Sequence, residues 1–481
     1  MQEPFCESSK FPKSCLTRLQ SLVKKNNGSV DKKLLEKAFY LAKEAHKGQY
    51  RASKKPYFSH PLETAAILAK MGLGSNVVAA GLLHDVLEDT PIKKPVLCNE
   101  FGNEVCSLVE GVTKLDILTS ESRNNESLKN LHNLLFATTK DPRVILIKLA
   151  DKMHNLKTLK YLPKKSRERI AEETLTIYVP IARKIGMEAF AVELEDLAFC
   201  HAKPEIFERL NSRLKPLRTK KEKEINLMIA ILRKKLPKAS FYKRQKSAYG
   251  VFTKMKNTGK ALEEINDIVI LKILFDKKPD CYSALGIIHG TFPPLPNKVK
   301  DFIGAPKPTF YSVLQTTVFG PKKRPVKIRI ATHKMNAINR NGVIAYKKLS
   351  GKKMSEYLKQ NLSKLGSLLA NGGDETDFIT ALKGDFLTRP IYVFTATGTL
   401  LELPNKSTVL DFAFAAEKNW ALHLLRAKVN GKNAKFSKRL RSGNIIELFF
   451  SQKPRAKKSW LKDATNFISK EALRKYFKLN K

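Results

Sequence analysis

The nonapeptide LLHDVLEDT, residues 82–90, closes the apolar run VVAAGLL (77–83) and carries His84, Asp85, Glu88 and Asp89. A helix built to bury residues 77–83 has no reason to end by drawing three carboxylates and an imidazole toward a core unless they hold something there. On a helix His84 and Glu88 share one face, and Asp85 and Asp89 form the adjacent stripe. His84 and Asp85 can therefore serve one centre only if it lies on the edge between those stripes. Two further groups can complete such a centre. His60 precedes Pro61 at a predicted helix start in PYFSHPLETAAIL, and Asp151 closes the apolar run within VILIKLADKMHNLKTL. Each residue also has an ordinary reading: a histidine before proline is commonly a cap or a satisfied core residue, and an aspartate after an apolar run is commonly a cap. The conjunction H…HD…D, its later members closing apolar runs that do not tolerate a bare charge, favours a metal site. Two imidazoles and two carboxylates suit a divalent ion such as manganese, iron or zinc. Such an ion lowers the pKa of bound water from about 15.7 toward about 7. Glu88 and Asp89, one turn on, are placed to take a proton from that water.

Around this centre the first 200 residues read as almost wholly helical, with apolar spacing over 31–46, 61–71, 75–89, 126–139, 143–162 and 180–202, and Asp31 as an N-cap. Residues 205–260 are strongly basic, and the run RLKPLRTKKEKE suits a solvated helix. From Ile265 the pattern turns to strands (DIVILKILF, TTVFG, VKIRIA) alternating with helical stretches such as 281–290, which predicts an α/β middle block. Near Pro390 a third block begins. IYVFTATGTLLELP reads as a hairpin turning at Thr397–Gly398, LDFAFAAE as a short helix, and AKVNGKNA and NIIELFF as further strands of a β-grasp-like module.

The chain of 481 residues has 89 Lys and Arg against 45 Asp and Glu, a net charge of +44 that draws phosphates, whether of nucleotides, RNA or anionic lipid. Many of these lysines can equally be solvating surface. No apolar run approaches the ~20 residues that span a bilayer, and the polar, acidic start MQEPFCESSK is unlike a signal peptide. The six scattered cysteines form no CxxC pair and read as reduced thiols of a cytoplasmic protein.

The segments AHKGQYRASKKPYFSH, LLHDVLEDT and KLADKMHNLKTL, in that order and followed by ELEDLAF, resemble the HD domain of the Rel/SpoT family, which makes and degrades the guanosine alarmones ppGpp and pppGpp. The resemblance implies that His60, His84, Asp85 and Asp151 bind Mn2+, that Glu88 and Asp89 act in hydrolysis, and that Arg51, Asn155 and Thr158 contact the nucleotide. Ala52 stands where the family usually has a lysine after the arginine, with Lys54 and Lys55 close by.

KSAYGVFTKM, EEINDIVILKILF, CYSALGIIHGTF, KDFIGAPKPTFYSVLQTTV and GPKKRPVKIRIATHKM resemble, in order, the family's alarmone synthetase domain, which moves pyrophosphate from ATP to the 3′-hydroxyl of GDP or GTP. The resemblance implies that Asp267 is the metal-binding aspartate and Tyr311 the tyrosine that stacks on guanine. Lys246, Lys300 and Lys307 match phosphate contacts. Lys327, however, replaces the glutamate of the family's E-x-Q-x-R strand, Arg329 and Ala331 follow it, Gln315 stands for a histidine and Lys272 for an arginine. A glutamate-to-lysine change moves the local charge by two units. At ~4 Å from a divalent ion each unit costs roughly 4 kcal/mol per metal charge at an effective dielectric of 20. The synthetase-like pocket is accordingly expected to be degenerate. RPIYVFTATGTLLELPNKSTVLDFAF and AKVNGK resemble the TGS domain, which implies contact with tRNA on the ribosome. The family's histidine after DFAF is absent from AAEKNWALH.

The expected organisation is an all-α HD-type domain (1–203), an α/β nucleotidyltransferase-like, synthetase-like domain (204–350), a linker (351–388), a small β-grasp, TGS-like domain (389–452) and a basic helical tail (453–481). Later modules of full-length relatives are expected to be absent. The expected function is a Mn-dependent (p)ppGpp 3′-pyrophosphohydrolase, without membrane association. The alternatives are a non-catalytic ribosome- or tRNA-associated alarmone sensor and a bifunctional synthetase/hydrolase.

Overall fold

The computed structural model describes residues 5–6, 11–120, 141–305, 311–345 and 390–479. The chain forms two compact units, residues 1–363 and 364–481. The expected helix over 126–139, Lys307 and the linker 351–388 lie outside the described residues.

The first unit opens with helices α1 (Lys13–Asn27), α2 (Lys32–Ala45), α3 (Ser59–Lys70) and α4 (Ser75–Leu83). Asp31 caps α2 by accepting from the Leu34 amide. The apolar stripes of α2, α3 and α4 meet in a core that includes Leu35, Phe39, Leu62, Leu68, Leu82 and Leu83, all fully buried. Leu68 of α3 packs over Gly81: a Cβ there would lie 2.4 Å from Leu68 Cδ1, so any larger residue makes that side chain move.

The predicted helix over 75–89 is not continuous. It stops at Leu83, turns through His84 and Asp85, and resumes as the short α5 (Val86–Asp89). The next elements are α6 (Lys94–Ser120), kinked at Gly102 where φ is 77°, and the buried α7 (Arg143–Thr158). After α8 (Lys164–Glu173), the predicted helix over 180–202 is likewise split, into α9 (Val179–Lys184) and α10 (Glu188–Ala202), by the left-handed Gly186. The expectation of reduced thiols is corrected for four cysteines: Cys6 pairs with Cys15 and Cys98 with Cys106, at Cα separations of 5.9 and 5.0 Å. Cys98 and Cys106 flank the Gly102 kink, which folds the two segments of α6 toward one another.

The basic stretch forms one long helix, α11 (Pro204–Lys235), which buries Leu210, Leu214, Ile225, Met228 and Leu232 along one side. A mixed five-stranded sheet follows in the order β1-β2-β5-β4-β3, with only β2 and β5 parallel. Its strands are β1 (Ser240–Gln245), β2 (Val269–Phe275), β3 (Lys300–Asp301), β4 (Leu314–Phe319) and β5 (Pro325–Thr332). Helices α12 (Ala248–Thr258), α13 (Lys278–Thr291) and α14 (His333–Asn341) complete this block. Strand β1, SFYKRQ, was missed because charges interrupt its alternation. Past α14, Gly342 closes the helix and the Val343 amide bonds to Ile185 O at 3.2 Å, tying the sheet block to the helical one.

The second unit holds β6 (Ile391–Thr395), β7 (Leu400–Leu403), α15 (Val409–Ala416), β8 (Leu424–Val429), β9 (Lys432–Ala434) and β10 (Ile445–Phe450), with sheet order β7-β6-β10-β8-β9 and β6 parallel to β10. This is the β-grasp arrangement expected. The basic tail is more than an exposed helix. Its α16 (Trp460–Asp463) and α17 (Phe467–Leu479) bury Trp460 and Leu473 against Leu410, Ala413 and Phe414 of α15. Asp411, itself buried, fixes this junction by accepting from the Thr465 hydroxyl at 2.6 Å and the Asn466 amide at 3.1 Å.

Candidate metal centre

Three buried helices bring four groups of metal-ligating type close together. His60 comes from the first turn of α3, Asp151 from the middle of α7, and His84 and Asp85 from the break between α4 and α5. At that break Asp85 stands at φ −93°, ψ −6°, and its carboxylate lies 3.0 Å from the imidazole beside it. His60 Nε2 and His84 Nε2 face one another at 3.1 Å. Asp85 oxygens lie 3.0 Å from His84 Nε2 and 3.5 Å from His60 Nε2, and Asp151 Oδ1 lies 3.3 Å from His60 Nε2. His60, His84 and Asp151 each offer an atom within 4.8 Å of the others.

Hydrogen bonds behind the ligands decide where their protons sit. His84 Nδ1 lies 2.9 Å from Gly81 O, a pure acceptor, so Nδ1 carries the proton and Nε2 presents a lone pair. The Arg51 guanidinium lies 3.1 Å from His154 Nδ1, and an arginine only donates, so His154 Nδ1 accepts. His60 Nδ1 lies 2.7 Å from that same nitrogen and must supply the other proton. Both Nε2 atoms are then bare lone pairs turned toward each other and toward two carboxylates. Burial pushes the His60 imidazole below its usual pKa, so no extra proton relieves the crowding. Burial works to raise the Asp151 carboxyl, but the Lys148 ammonium beside it outweighs burial and holds it well below the usual carboxylate range. Two lone pairs and two carboxylates without a shared proton fit a divalent cation.

The rest of the site is organised around this point. Asp151 accepts from Lys148 Nζ at 2.9 Å and from Asn155 Nδ2 at 2.5 Å, and Asn155 Oδ1 accepts from Arg51 at 2.6 Å. Thr158, a turn further along α7, bonds back to the Asn155 carbonyl at 3.1 Å. The Tyr57 hydroxyl reaches Asp85 at 3.0 Å and Asp89 at 2.6 Å, and burial beside these two carboxylates raises its pKa. Glu88 and Asp89 are exposed. His154, Tyr57 and Lys148 were missed in the sequence. His154 and Lys148 stand three residues either side of Asp151, one helical turn away on a buried run, and that spacing was the available signal.

In the sheet block, Lys246 and Lys254 close on Asp267 at 3.3 and 2.5 Å. Lys327 projects from β5 into the same neighbourhood. Tyr311 lies next to β4, its hydroxyl accepting from Gln315 Nε2 at 3.0 Å, and Lys300 is exposed on the edge strand β3.

Three family descriptions match the chain: HD domain over residues 38–188, region found in RelA / SpoT proteins over 243–352, and TGS domain over 391–450. A GTP pyrophosphokinase of Myxococcus xanthus is 34% identical over 93% of this chain and 61% of its own length. A guanosine-3′,5′-bis(diphosphate) 3′-pyrophosphohydrolase of Haemophilus influenzae is 35% identical over 91% of this chain and 66% of its own. The chain belongs to the RelA/SpoT family. A further relative, a probable 3′-pyrophosphohydrolase of Synechocystis, is 34% identical over 92% of this chain and 60% of its own length. The chain thus spans less than two thirds of each of these RelA/SpoT relatives. They carry both activities in their names, and the HD match encloses every residue of the centre described above. Among the described residues no helix is long and apolar enough to cross a membrane.

Proposed function

We propose that this RelA/SpoT protein hydrolyses ppGpp and pppGpp at the 3′-position, giving GDP or GTP and pyrophosphate. The observation that carries this reading is the pair of Nε2 lone pairs facing each other at 3.1 Å between two carboxylates. A divalent cation, proposed as manganese, would be held by His60, His84, Asp85 and Asp151; when bound it acidifies a water and offsets phosphate charge. The residues of the chain supply the rest. Arg51 is anchored to Asn155 and offers its charge to the 3′-diphosphate. Glu88 and Asp89 take the proton of the attacking water, and Tyr57 fixes the Asp89 carboxylate for that role. Attack on the phosphorus borne by the 3′-oxygen breaks that P–O bond, and a proton returns to the 3′-oxygen. Asn155 and Thr158 complete the nucleotide contacts.

The synthetase reaction is proposed to be lost, because Lys327 brings a cation where the reaction needs a carboxylate. We further propose a cytoplasmic location, with the nucleotide pool, where both cysteine pairs would be open to reduction, and contact of the TGS-like unit and its basic tail with tRNA or the ribosome.

Purified protein should degrade radiolabelled ppGpp with added manganese and stop when the metal is chelated. Asp85→Ala should abolish turnover with an unchanged circular dichroism spectrum. Unchanged turnover in that variant would remove the centre from the reaction. Incubation with ATP and GDP should yield no ppGpp above the level of Asp267→Ala.

A further inference from the structure

Helix α5 is four residues long and cannot hold itself in place. A single turn has almost no internal ladder, and its last carbonyls need partners from elsewhere. Two side chains supply them. The Thr90 hydroxyl donates to Val86 O at 2.6 Å, and the Gln49 amide nitrogen donates to Asp89 O at 2.8 Å. The second bond comes from 40 residues away. It ends on the residue whose carboxylate receives the Tyr57 hydroxyl at 2.6 Å.

Gln49 is itself held on two sides. Its backbone carbonyl accepts from the Tyr57 amide at 2.9 Å, which closes the loop that carries Arg51. Its side-chain oxygen lies 2.8 Å from Nδ1 of His46, just past the end of α2. These contacts fix the amide and the imidazole together. A carbonyl oxygen only accepts, so the Gln49 NH2 must face Asp89 O and its oxygen must face His46. His46 Nδ1 then carries the proton, and Nε2 is left as a bare lone pair. That nitrogen is buried and has no hydrogen-bond partner among the described residues. A buried, unanswered acceptor is unfavourable, and the bond from Nδ1 to Gln49 is what this tautomer secures. The His46 ring also stacks on Tyr57, with centroids 4.7 Å apart. One histidine thus touches both side chains that hold Asp89, Gln49 at its backbone and Tyr57 at its carboxylate.

We propose that Gln49 is a positioning residue for hydrolysis, acting through Asp89, and that His46 fixes the orientation in which Gln49 acts. This rests on the reading that Asp89 takes the proton of the attacking water. Gln49 needs no contact with water or nucleotide for this role. It sets the end of α5 against the foot of the Arg51 loop. The base and the cation offered to the 3′-diphosphate then keep a fixed separation. A misplacement of about 1 Å in such a pair costs on the order of a hundredfold in rate.

The test measures ppGpp turnover by the full chain with manganese, and amide hydrogen exchange over residues 86–90 of the same protein without substrate. Gln49→Met keeps the length of the side chain and loses both of its hydrogen bonds. Its kcat should fall about 10–100-fold, with KM and manganese affinity close to the parent's, and exchange over 86–90 should quicken. His46→Asn presents an amide donor where Nδ1 stood and should keep most of kcat and the slow exchange. His46→Leu, the better apolar filler, should lose both. In an Asp89→Asn background Gln49→Met should cost nothing further, because a group that acts through the base has no effect once the base is gone. Either a parental kcat or unchanged exchange in Gln49→Met would overturn the proposal. So would His46→Leu outperforming His46→Asn, an additive loss in the double variant, or a matching fall in manganese affinity. Full turnover by Asp89→Asn alone would instead overturn the reading of Asp89 as the base, and the positioning role of Gln49 with it. An active parent with an inactive Asp89→Asn and a fully active Gln49→Met would leave that reading standing and remove this proposal alone.

Discussion

At the scale of single residues, the proposed metal centre depends on His154, which stands behind the proposed ligands. His154 receives a hydrogen bond from Arg51 and another from His60, and so dictates which nitrogen of His60 faces the ligand cluster. Its buried imidazole is pushed well below the usual histidine pKa, first by desolvation and then by His60 and Arg51, which keeps it a neutral acceptor. His154→Leu removes the acceptor and strands two donors. Manganese affinity, read from free Mn2+ by electron paramagnetic resonance, should fall about 10–100-fold, the usual range for a group behind a ligand. His154→Gln keeps an oxygen acceptor and should recover most of the loss. A merely space-filling role predicts the reverse order, because Leu is the better packing residue of the two. Equal affinities in both variants would dismiss the tautomer argument.

Elements set the distance between ligands, and Leu68 of α3 packs over Gly81 of α4. Gly81→Ala gains about 1 kcal/mol of helix propensity but forces a methyl 2.4 Å from a fully buried Leu68. Overpacking of this kind costs about 1–3 kcal/mol, and Leu68 is fully buried, so the loss should win. The melting temperature should drop by a few degrees, and metal affinity should drop with it, since Gly81 O orients His84 and α3 carries His60. A rise in melting temperature would mean that propensity prevails and Leu68 moves aside. The same elements show what the sequence made legible. Residues 82–90, 60 and 151 could be read as one centre because each charge closes an apolar run. The break at His84–Asp85 was not readable, since nothing in LLHDVLED interrupts helical spacing and the turn is imposed by what the side chains must reach. Strand β1 and the splitting of α9 from α10 at Gly186 were lost for related reasons: tertiary pairing overrode a charged local pattern in one case, and a single left-handed glycine ended an otherwise good helical text in the other. The disulfides escaped because pairings across eight or nine residues have no motif.

At the scale of the whole molecule, the two units should answer to different perturbations. The helical and sheet blocks share one unit, joined through α10 and the Val343–Ile185 hydrogen bond, while residues 391–479 build separate cores around Val393, Phe412 and Trp460. Differential scanning calorimetry of the intact chain should therefore show two transitions. The proposed manganese site lies wholly in the first unit. At a hundred times its dissociation constant it should stabilise that unit by about 2.7 kcal/mol and leave the other transition in place. Asp411→Ala should act on the other transition alone. The aspartate is 1% exposed and anchors Thr408, Thr465 and Asn466, so its loss leaves several buried donors unanswered at about 1–3 kcal/mol each. Limited proteolysis of the same variant should release the tail beyond Thr465 before the β-grasp sheet is cut, because Asp411 is the buried acceptor that ties the start of α17 to α15. A single transition that shifts with both manganese and Asp411→Ala would show that the two units unfold together, and their separate cores would then not be separate folding units.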